Sequence, residues 1–337
     1  MKPRPTQHIR FVINPISGIN RKEGIIHSIP KTIDPARFSY DVVLTQAPGH
    51  ATQIAREAAN SGVDIVCAVG GDGTVNEVAR ALLHTGSALA IIPTGSGNGL
   101  ARHLHVPLVP QSALKFLNNT PAHHIDYGLV NAHPFFCTCG VGFDAFISQK
   151  FSEARKRGFL TYLENVLRYA LTYNSETYSL DIEDQEGTHY ALSALIIACG
   201  NACQYGNNIF IAPGASVRDG LLDVTVIQPF NALQAPQIAA QLLFGQQQNG
   251  GCIRTLRCRH LTITRKQRGI IHFDGEPIEA DPTLDISLVH RGLRCICPTD
   301  EGIPSPARRV ENAVVETISH INMRAEELLA NIKNGWT

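Results

Sequence analysis

Neither sign of charge is in surplus in this 337-residue sequence: Lys and Arg number 29, Asp and Glu 29, and the formal net charge is zero. Binding to nucleic acid by bulk charge needs an excess of cations facing phosphates, so no nucleic-acid partner is expected, although a local basic patch remains open. Charge is also scarce overall. Charged residues make up 17% of the chain and hydrophobic residues 44%, against roughly 25% charged in ordinary soluble domains. A chain this long and apolar can bury a sizeable core, which excludes disorder as a whole, and has room for two domains of about 100–200 residues each. No Cys-x-x-Cys pair occurs, which argues against a zinc ribbon or a thioredoxin-type site. Several of the nine cysteines, Cys67 and Cys199 among them, lie in apolar runs where a thiol serves as a small hydrophobe. Cys137/Cys139 and Cys295/Cys297 have strand spacing and read as buried strand residues. No run of about 18 apolar residues is present, so no transmembrane helix is expected. The opening MKPRPTQHIR has no apolar signal core. A reduced cytosol is the expected compartment.

The first 126 residues alternate apolar runs with amphipathic stretches. IRFVI (9–13), YDVVL (40–44), VDIVCAV (63–69) and ALAII (88–92) read as buried strands, and 50–60 and 74–84 as helices. That alternation implies βαβ units and a parallel sheet. After Asp126 the pattern becomes mostly strands: 135–139, 195–199, 221–227, 256–264, 269–273, 284–289 and 293–297. Helices are expected near 145–173 and 233–244. This half reads as an antiparallel β domain. The expected division is therefore an α/β domain over 1–126, a β domain over 127–297 and a helical tail over 298–337. In the tail Val310, Val314, Ile318, Ile321, Leu328 and Ile332 share one side, suited to packing on the first domain or to a homodimer.

In an open parallel sheet, ligands bind beyond the carboxyl ends of the strands. Three glycine-bearing loops stand there: Asn14-Pro15-Ile16-Ser17-Gly18, Gly70-Gly71-Asp72-Gly73-Thr74, and Pro93-Thr94-Gly95-Ser96-Gly97-Asn98. Glycines let the backbone approach a phosphate, and N–H groups at a helix start point at the anion. A carboxylate in such a loop repels phosphate unless a cation intervenes, so Asp72 implies Mg²⁺ shared with a nucleotide. None of the loops ends in the Gly-Lys-Ser/Thr of a P-loop. A Gly-x-Gly-x-x-Ala at Gly140–Ala145 lies outside the parallel half and is set aside. Two acidic turns follow, Arg218-Asp219-Gly220-Leu221-Leu222-Asp223 and Phe273-Asp274-Gly275-Glu276-Pro277. Each suits an ordinary β-turn; phosphoryl transfer would also ask one of them for a base.

NPISG (14–18), GGDGTVNE (70–77), PTGSGNGLAR (93–102), APGASVRDGLLDV (212–224) and FDGE (273–276), in that order, make the chain resemble the diacylglycerol-kinase catalytic-domain superfamily of lipid kinases. The resemblance runs from about residue 8 to residue 297 and includes sphingosine-kinase relatives. It implies an amino-terminal α/β nucleotide domain like that of NAD kinases and phosphofructokinases, a carboxy-terminal β-sandwich, and a site in the cleft between them. It further implies ATP contacts from Asn14, Pro15, Ile16, Ser17, Gly18, Thr45, Gly71, Asp72, Gly73, Thr74, Val75, Asn76, Glu77 and Thr94. Asp72 would reach a catalytic Mg²⁺ with Asp126 nearby, and Asp274 would be the general base, supported by Glu276. A second, structural Mg²⁺ would lie at Asp219 with the backbone oxygens near Ser216 and Leu221. The implied activity is ATP- and Mg²⁺-dependent phosphorylation of diacylglycerol or a sphingoid-type lipid at the inner membrane surface. Two departures stand out. Gly99 occupies a position that is acidic in many bacterial diacylglycerol kinases, and Gly206-Asn207-Asn208 replaces a glycine run. The alternatives are an NAD kinase, which leaves NPISG and FDGE without a role, and a catalytically silent lipid or nucleotide sensor.

Overall fold

The structure is a computed structural model that describes residues 7–16, 22–153, 169, 173–183, 188–246 and 249–299. Its first half runs β1 (Gln7–Ile13), α1 (Lys22–Thr32), β2 (Phe38–Leu44), α2 (His50–Asn60), β3 (Ile65–Gly70), α3 (Asp72–Leu82), β4 (Ala88–Pro93), α4 (Gly99–His103) and α5 (Pro110–Asn119). The strands pair in parallel in the order β2-β1-β3-β4. β3 and β4 are buried at every residue, the mark of strands covered on both faces. At the sheet edge, β2 fully buries only Phe38. α2 turns Ala51, Ile54, Ala55 and Ala58 inward at helical spacing. It ends where Gly62 takes up a left-handed φ of 75°. Because β2 and β3 flank β1 on opposite sides, the crevice for a ligand opens between the carboxyl ends of β1 and β3.

The second half runs β5 (Ala122–Val130), β6 (His133–Phe135), β7 (Thr138–Gly142), α6 (Phe143–Glu153), β8 (Glu176–Ile182), β9 (His189–Ala194), β10 (Ile196–Gly200), β11 (Gln204–Gly206) and β12 (Ile209–Phe210). It continues with β13 (Leu222–Ile227), α7 (Ala235–Phe244), β14 (Ile253–Cys258), β15 (His260–Arg265), β16 (Gly269–Phe273), β17 (Glu276–Ala280) and β18 (Thr283–Ile296). One antiparallel sheet has the order β14-β13-β10-β7-β16-β17. Facing it, β18, β15, β8 and β9 form the other layer, with β5 and β6 attached through β18. Alternate residues such as Val224 and Val226 from one layer meet Leu261, Ile263, Leu284 and Ile286 from the other in a single core. The expected combination of parallel α/β domain and β-sandwich is what the chain adopts.

The two halves share a sheet. β18 pairs with β15 and β5 and, at Cys295, runs parallel to β4, so the nucleotide-domain sheet continues into the sandwich. LDISLV and LRCIC, expected as two strands, are the ends of this one strand, bent at Arg291 with φ 56°. Gly292 makes the bend possible, because a Cβ there would lie 2.3 Å from the Tyr127 ring. Conversely, LRCRHLTIT, expected as one strand, divides at Arg259 between the two layers. Cys258 and Leu261 both face the core at an odd spacing, which one straight strand cannot do. β5, β8 and β9 were not expected, and β5 passes through Asp126, where the division between domains was placed. Of the helix expected over 145–173, α6 is described as far as Glu153. The tail from residue 300 lies outside the described residues.

Candidate active site

The glycine loops close on each other backbone to backbone. Thr94 donates its N–H to the Gly70 carbonyl at 2.8 Å, and Asn14 donates to that of Val69 at 3.1 Å. A Cβ on Gly95 would sit 2.7 Å from the Gly71 Cα, so contact at this distance requires that neither carry a side chain. Asp72 opens α3, and its oxygens accept the N–H groups of Asn98 and Gly99, both at 2.8 Å. It thereby fastens the third loop to the second. Burial pushes its carboxyl above the usual range, against the pull of those N–H groups and of Arg102. Asn98 caps α4 from a left-handed φ of 52° and exchanges hydrogen bonds with Gly95. Asn14 closes its own turn by accepting the Ile16 N–H and donates to the Thr74 hydroxyl at 3.2 Å. The N-cap of α3 is Gly71, which has no side chain to cap the helix, and the first turn opens beside the exposed Gly73, where backbone N–H groups can meet an anion.

Asp274 and Gly275 form the two-residue turn between β16 and β17, with φ of 49° and 82°. Asp-Gly is a favoured pair for such a hairpin. The turn directs the Asp274 carboxylate into a nest of donors. Oδ1 accepts the N–H groups of Cys137 at 2.7 Å and Thr138 at 3.1 Å. Oδ2 accepts the Phe136 N–H at 2.7 Å and the Asn76 amide nitrogen at 2.6 Å. Burial raises its proton affinity, while the three N–H groups and the Arg80 charge oppose that rise. Glu276, the next acidic residue, is half exposed and pairs with Arg80 Nη2 at 3.0 Å. Arg80 also lies over the Phe273 ring at 5.0 Å. Asn76 and Arg80, one turn apart on α3, thus tie the nucleotide domain to the Asp274 hairpin.

The other expected residues separate by what they touch. Pro15 and Ile16 are exposed, Ile16 at 88%, and Ser17 and Gly18 lie outside the described residues. Thr45, Thr74 and Thr94 are buried behind the loops, and Val75 packs into the core. Glu77 caps α2 through the N–H groups of Gly49 and Ala51 at 3.0 and 3.1 Å. Asp126 is fully buried, accepts the N–H groups of Gly220 and Arg291, and lies 2.9 Å from His290 Nδ1. It holds the 219–220 turn and the bend of β18, and none of these partners belongs to a glycine loop. At that turn Asp219 accepts the Leu221 N–H at 3.1 Å, and Arg257 bridges Asp219 and Asp223. Ser216 is half-buried beside it.

The two proposed metal positions differ in fit. The Asp72 carboxylate accepts the Asn98 and Gly99 N–H groups and interacts with its own N–H, which still leaves part of its roughly four lone-pair positions for a cation reached through water. The Asp219 turn already has its counter-charge in the Arg257 guanidinium. The donor set of Ser216, Asp219 and Leu221 therefore does not fit a second Mg²⁺, and no step is derived through one.

The diacylglycerol kinase catalytic domain profile matches residues 8–130, and that of the YegS C-terminal NAD kinase beta sandwich-like domain matches 137–296. A "Probable lipid kinase YegS-like" protein of Pseudomonas fluorescens is 32% identical over 86% of this chain and 97% of its own length. One from Pseudomonas putida is 34% identical over 71% and 79%. The chain belongs to the YegS-like lipid kinase family. A diacylglycerol kinase crystal structure from Bacillus anthracis shares the fold, with a TM-score of 0.68 at 22% identity over 88% of this chain and 98% of that one.

Around this candidate site the structure adds residues that sequence reasoning passed over. Phe136, Cys137 and Thr138 act through backbone N–H groups, which leave no trace in residue type. Arg80 had a signal, standing four residues after Asn76 on one helix face. A buried cluster lies behind β7: Asp144 accepts from the Tyr205 hydroxyl and sits against His272 Nε2, both at 2.7 Å. Beyond it Phe143, Phe146, Tyr169 and Tyr173 form an aromatic group at the start of α6. Part of that group lines a cleft of about 370 Å³. β7 itself, five residues long or about 17 Å at 3.3–3.4 Å per residue, runs from the Asp274 nest to this group.

Proposed function

We propose that the chain transfers the γ-phosphoryl group of ATP to a hydroxyl of diacylglycerol or a sphingoid-type lipid, with Asp274 as general base. The hydroxyl oxygen forms a bond to the γ-phosphorus, the bond to the β-phosphate oxygen breaks, ADP leaves, and the hydroxyl proton passes to Asp274. The observation that carries this reading is the 2.6 Å bond from Asn76 to Asp274. It joins a partly buried carboxylate of the sandwich to the helix that begins at the glycine loops. Phosphoryl transfer asks the protein for in-line positioning, a cation and a base. The loops supply backbone N–H groups for the phosphates, and Asn14 and Thr74 brace the first loop against the second. Asp72 would hold Mg²⁺ through water, and the ion would neutralise charge on the transferring phosphates. Asp274 is partly buried, and its raised proton affinity suits the task of taking a proton.

The aromatic group at the far end of β7 suits the apolar part of an amphiphile whose hydroxyl reaches Asp274. No helix among the described residues is long and apolar enough to cross a membrane. In this reading the enzyme works in the cytoplasm and collects its lipid as a peripheral visitor to the inner membrane surface.

The test is transfer of labelled γ-phosphate from ATP and Mg²⁺ to diacylglycerol, sphingoid base, ceramide and phosphatidylglycerol in mixed micelles, with NAD as a soluble control. Label in diacylglycerol or sphingoid base is the expected result. Label in NAD alone, or in nothing, overturns the proposal.

A further inference from the structure

Every acceptor position of Asp274 is occupied. A carboxylate offers about two lone-pair positions on each oxygen, and here each oxygen receives two donors. A substrate hydroxyl therefore cannot reach the carboxylate unless one donor yields. Three of the donors are backbone N–H groups of Phe136, Cys137 and Thr138, fixed by the chain entering β7. The fourth, the Asn76 amide, is the sole side chain among them and the sole one from the nucleotide domain. Its other end is orphaned: Asn76 is 5% exposed, and its Oδ1 has no hydrogen-bond partner among the described residues. An unpaired buried acceptor is unfavourable, and such an atom in a native fold calls for a partner supplied from elsewhere. One turn along α3, the Arg80 Nε is likewise buried without a partner.

We propose that Asn76 is a positioning residue for the base and its exchangeable partner. In the resting protein it orients Asp274. On assembly of the substrate complex it yields its place at Oδ2 to the acceptor hydroxyl, while its Oδ1 takes an N–H or O–H that arrives with the substrates. This inference rests on the reading of Asp274 as general base. It assigns Asn76 to the acceptor side, although the family resemblance counts it among the ATP contacts. Removing a donor from the ionised carboxylate raises its proton affinity. The charged and titratable groups that face Asp274 are Arg80 from α3 and the Cys137 and Cys139 thiols from the chain entering and forming β7.

The experiment compares the parent with Asn76→Leu, which keeps a similar branched shape and removes the donor without adding a charge, and with Asn76→Ala. ATP binding is measured by calorimetry without lipid, folding by thermal melting, and kcat and KM for ATP across pH 5–9 with the lipid that the parent phosphorylates. The expected result is ATP affinity and KM within about twofold of the parent and kcat lower by about 10–100-fold, the scale of a misplaced catalytic group. The acid limb of kcat/KM for the lipid, measured over the same pH range and reporting the enzyme before the acceptor hydroxyl binds, should move to higher pH in both variants. Weakened ATP binding with kcat retained, or an acid limb that stays in place, overturns the inference and returns Asn76 to the nucleotide. A parent that phosphorylates no lipid overturns the functional reading as well. A parent that turns over beside an unaffected Asn76→Leu overturns this inference alone.

Discussion

Two Asp-Gly turns of the sandwich, at 274–275 and 219–220, have similar local sequence and opposite surroundings. The Asp274 carboxylate meets neutral N–H donors and an amide, with the Arg80 charge at one remove. The Asp219 carboxylate meets a guanidinium directly, and Arg257 reaches on to Asp223. Neutral donors orient a carboxylate and leave its negative charge in place, ready to take a proton. A guanidinium cancels the charge and leaves a structural tie. The dipeptide makes the turn in both places, and the partners decide what the turn is for.

The comparison breaks most sharply at Asp274→Asn. This variant keeps the hairpin and removes the base, so kcat should fall by about 10²–10⁴-fold, the range for a lost general base. ATP affinity by calorimetry should stay near that of the parent. A variant that keeps kcat would place the base elsewhere.

Asp223 sharpens the other side. Burial lifts its carboxyl to about 6, against the pull of Arg257. A folded-state value above the unfolded one means that the folded chain binds the extra proton. Its contribution to stability is therefore fully present below about pH 4 and is lost as pH rises through about 6. Two pH units correspond to about 3 kcal/mol as an upper scale. Thermal melts at pH 4 to 7 should show Asp223→Asn gaining on the parent as pH rises. Parallel curves would mean that Asp223 titrates normally.

Smaller effects follow from the charge pairing itself. Without nucleotide, the parent should melt at the same temperature in millimolar Mg²⁺ and in chelator. In Arg257→Ala, Asp219 and Asp223 lose their counter-charge, and Mg²⁺ should raise the melting temperature by about 1–2 °C, equivalent to about 1 kcal/mol in a chain this long. A Mg²⁺ response in the nucleotide-free parent would restore a metal to the turn. Smallest of all is Asp219→Asn, which removes one partly exposed ion pair worth about 0–1 kcal/mol. Its turnover should match the parent.

Much of the first half could be read from sequence because buried parallel strands are continuous apolar runs, as β3 and β4 show. In the second half, β8 did alternate, with Tyr178, Leu180 and Ile182 inward, but its polar outward residues diluted the signal. β5 carries a buried aspartate because Asp126 anchors the distant 219–220 turn, a long-range demand that local pattern does not reveal. Within the site, residue type pointed to Asp72 and Asp274. It could not distinguish Glu77 capping α2, Val75 in the core, or Asn76 reaching across to the sandwich from residues that face a nucleotide. All three lie in one helical stretch, and helical geometry turns their side chains in different directions. The donors of the Asp274 nest are main-chain groups and carry no sequence signature.

The most direct test of the account is labelled phosphate transfer to lipid by the parent, Asp274→Asn and Asp219→Asn under one set of conditions, with ATP binding confirmed for each. The account predicts equal labelling by the parent and Asp219→Asn, and none above background by an Asp274→Asn protein that still binds ATP. Labelling by Asp274→Asn, or equal loss in both variants, would contradict it.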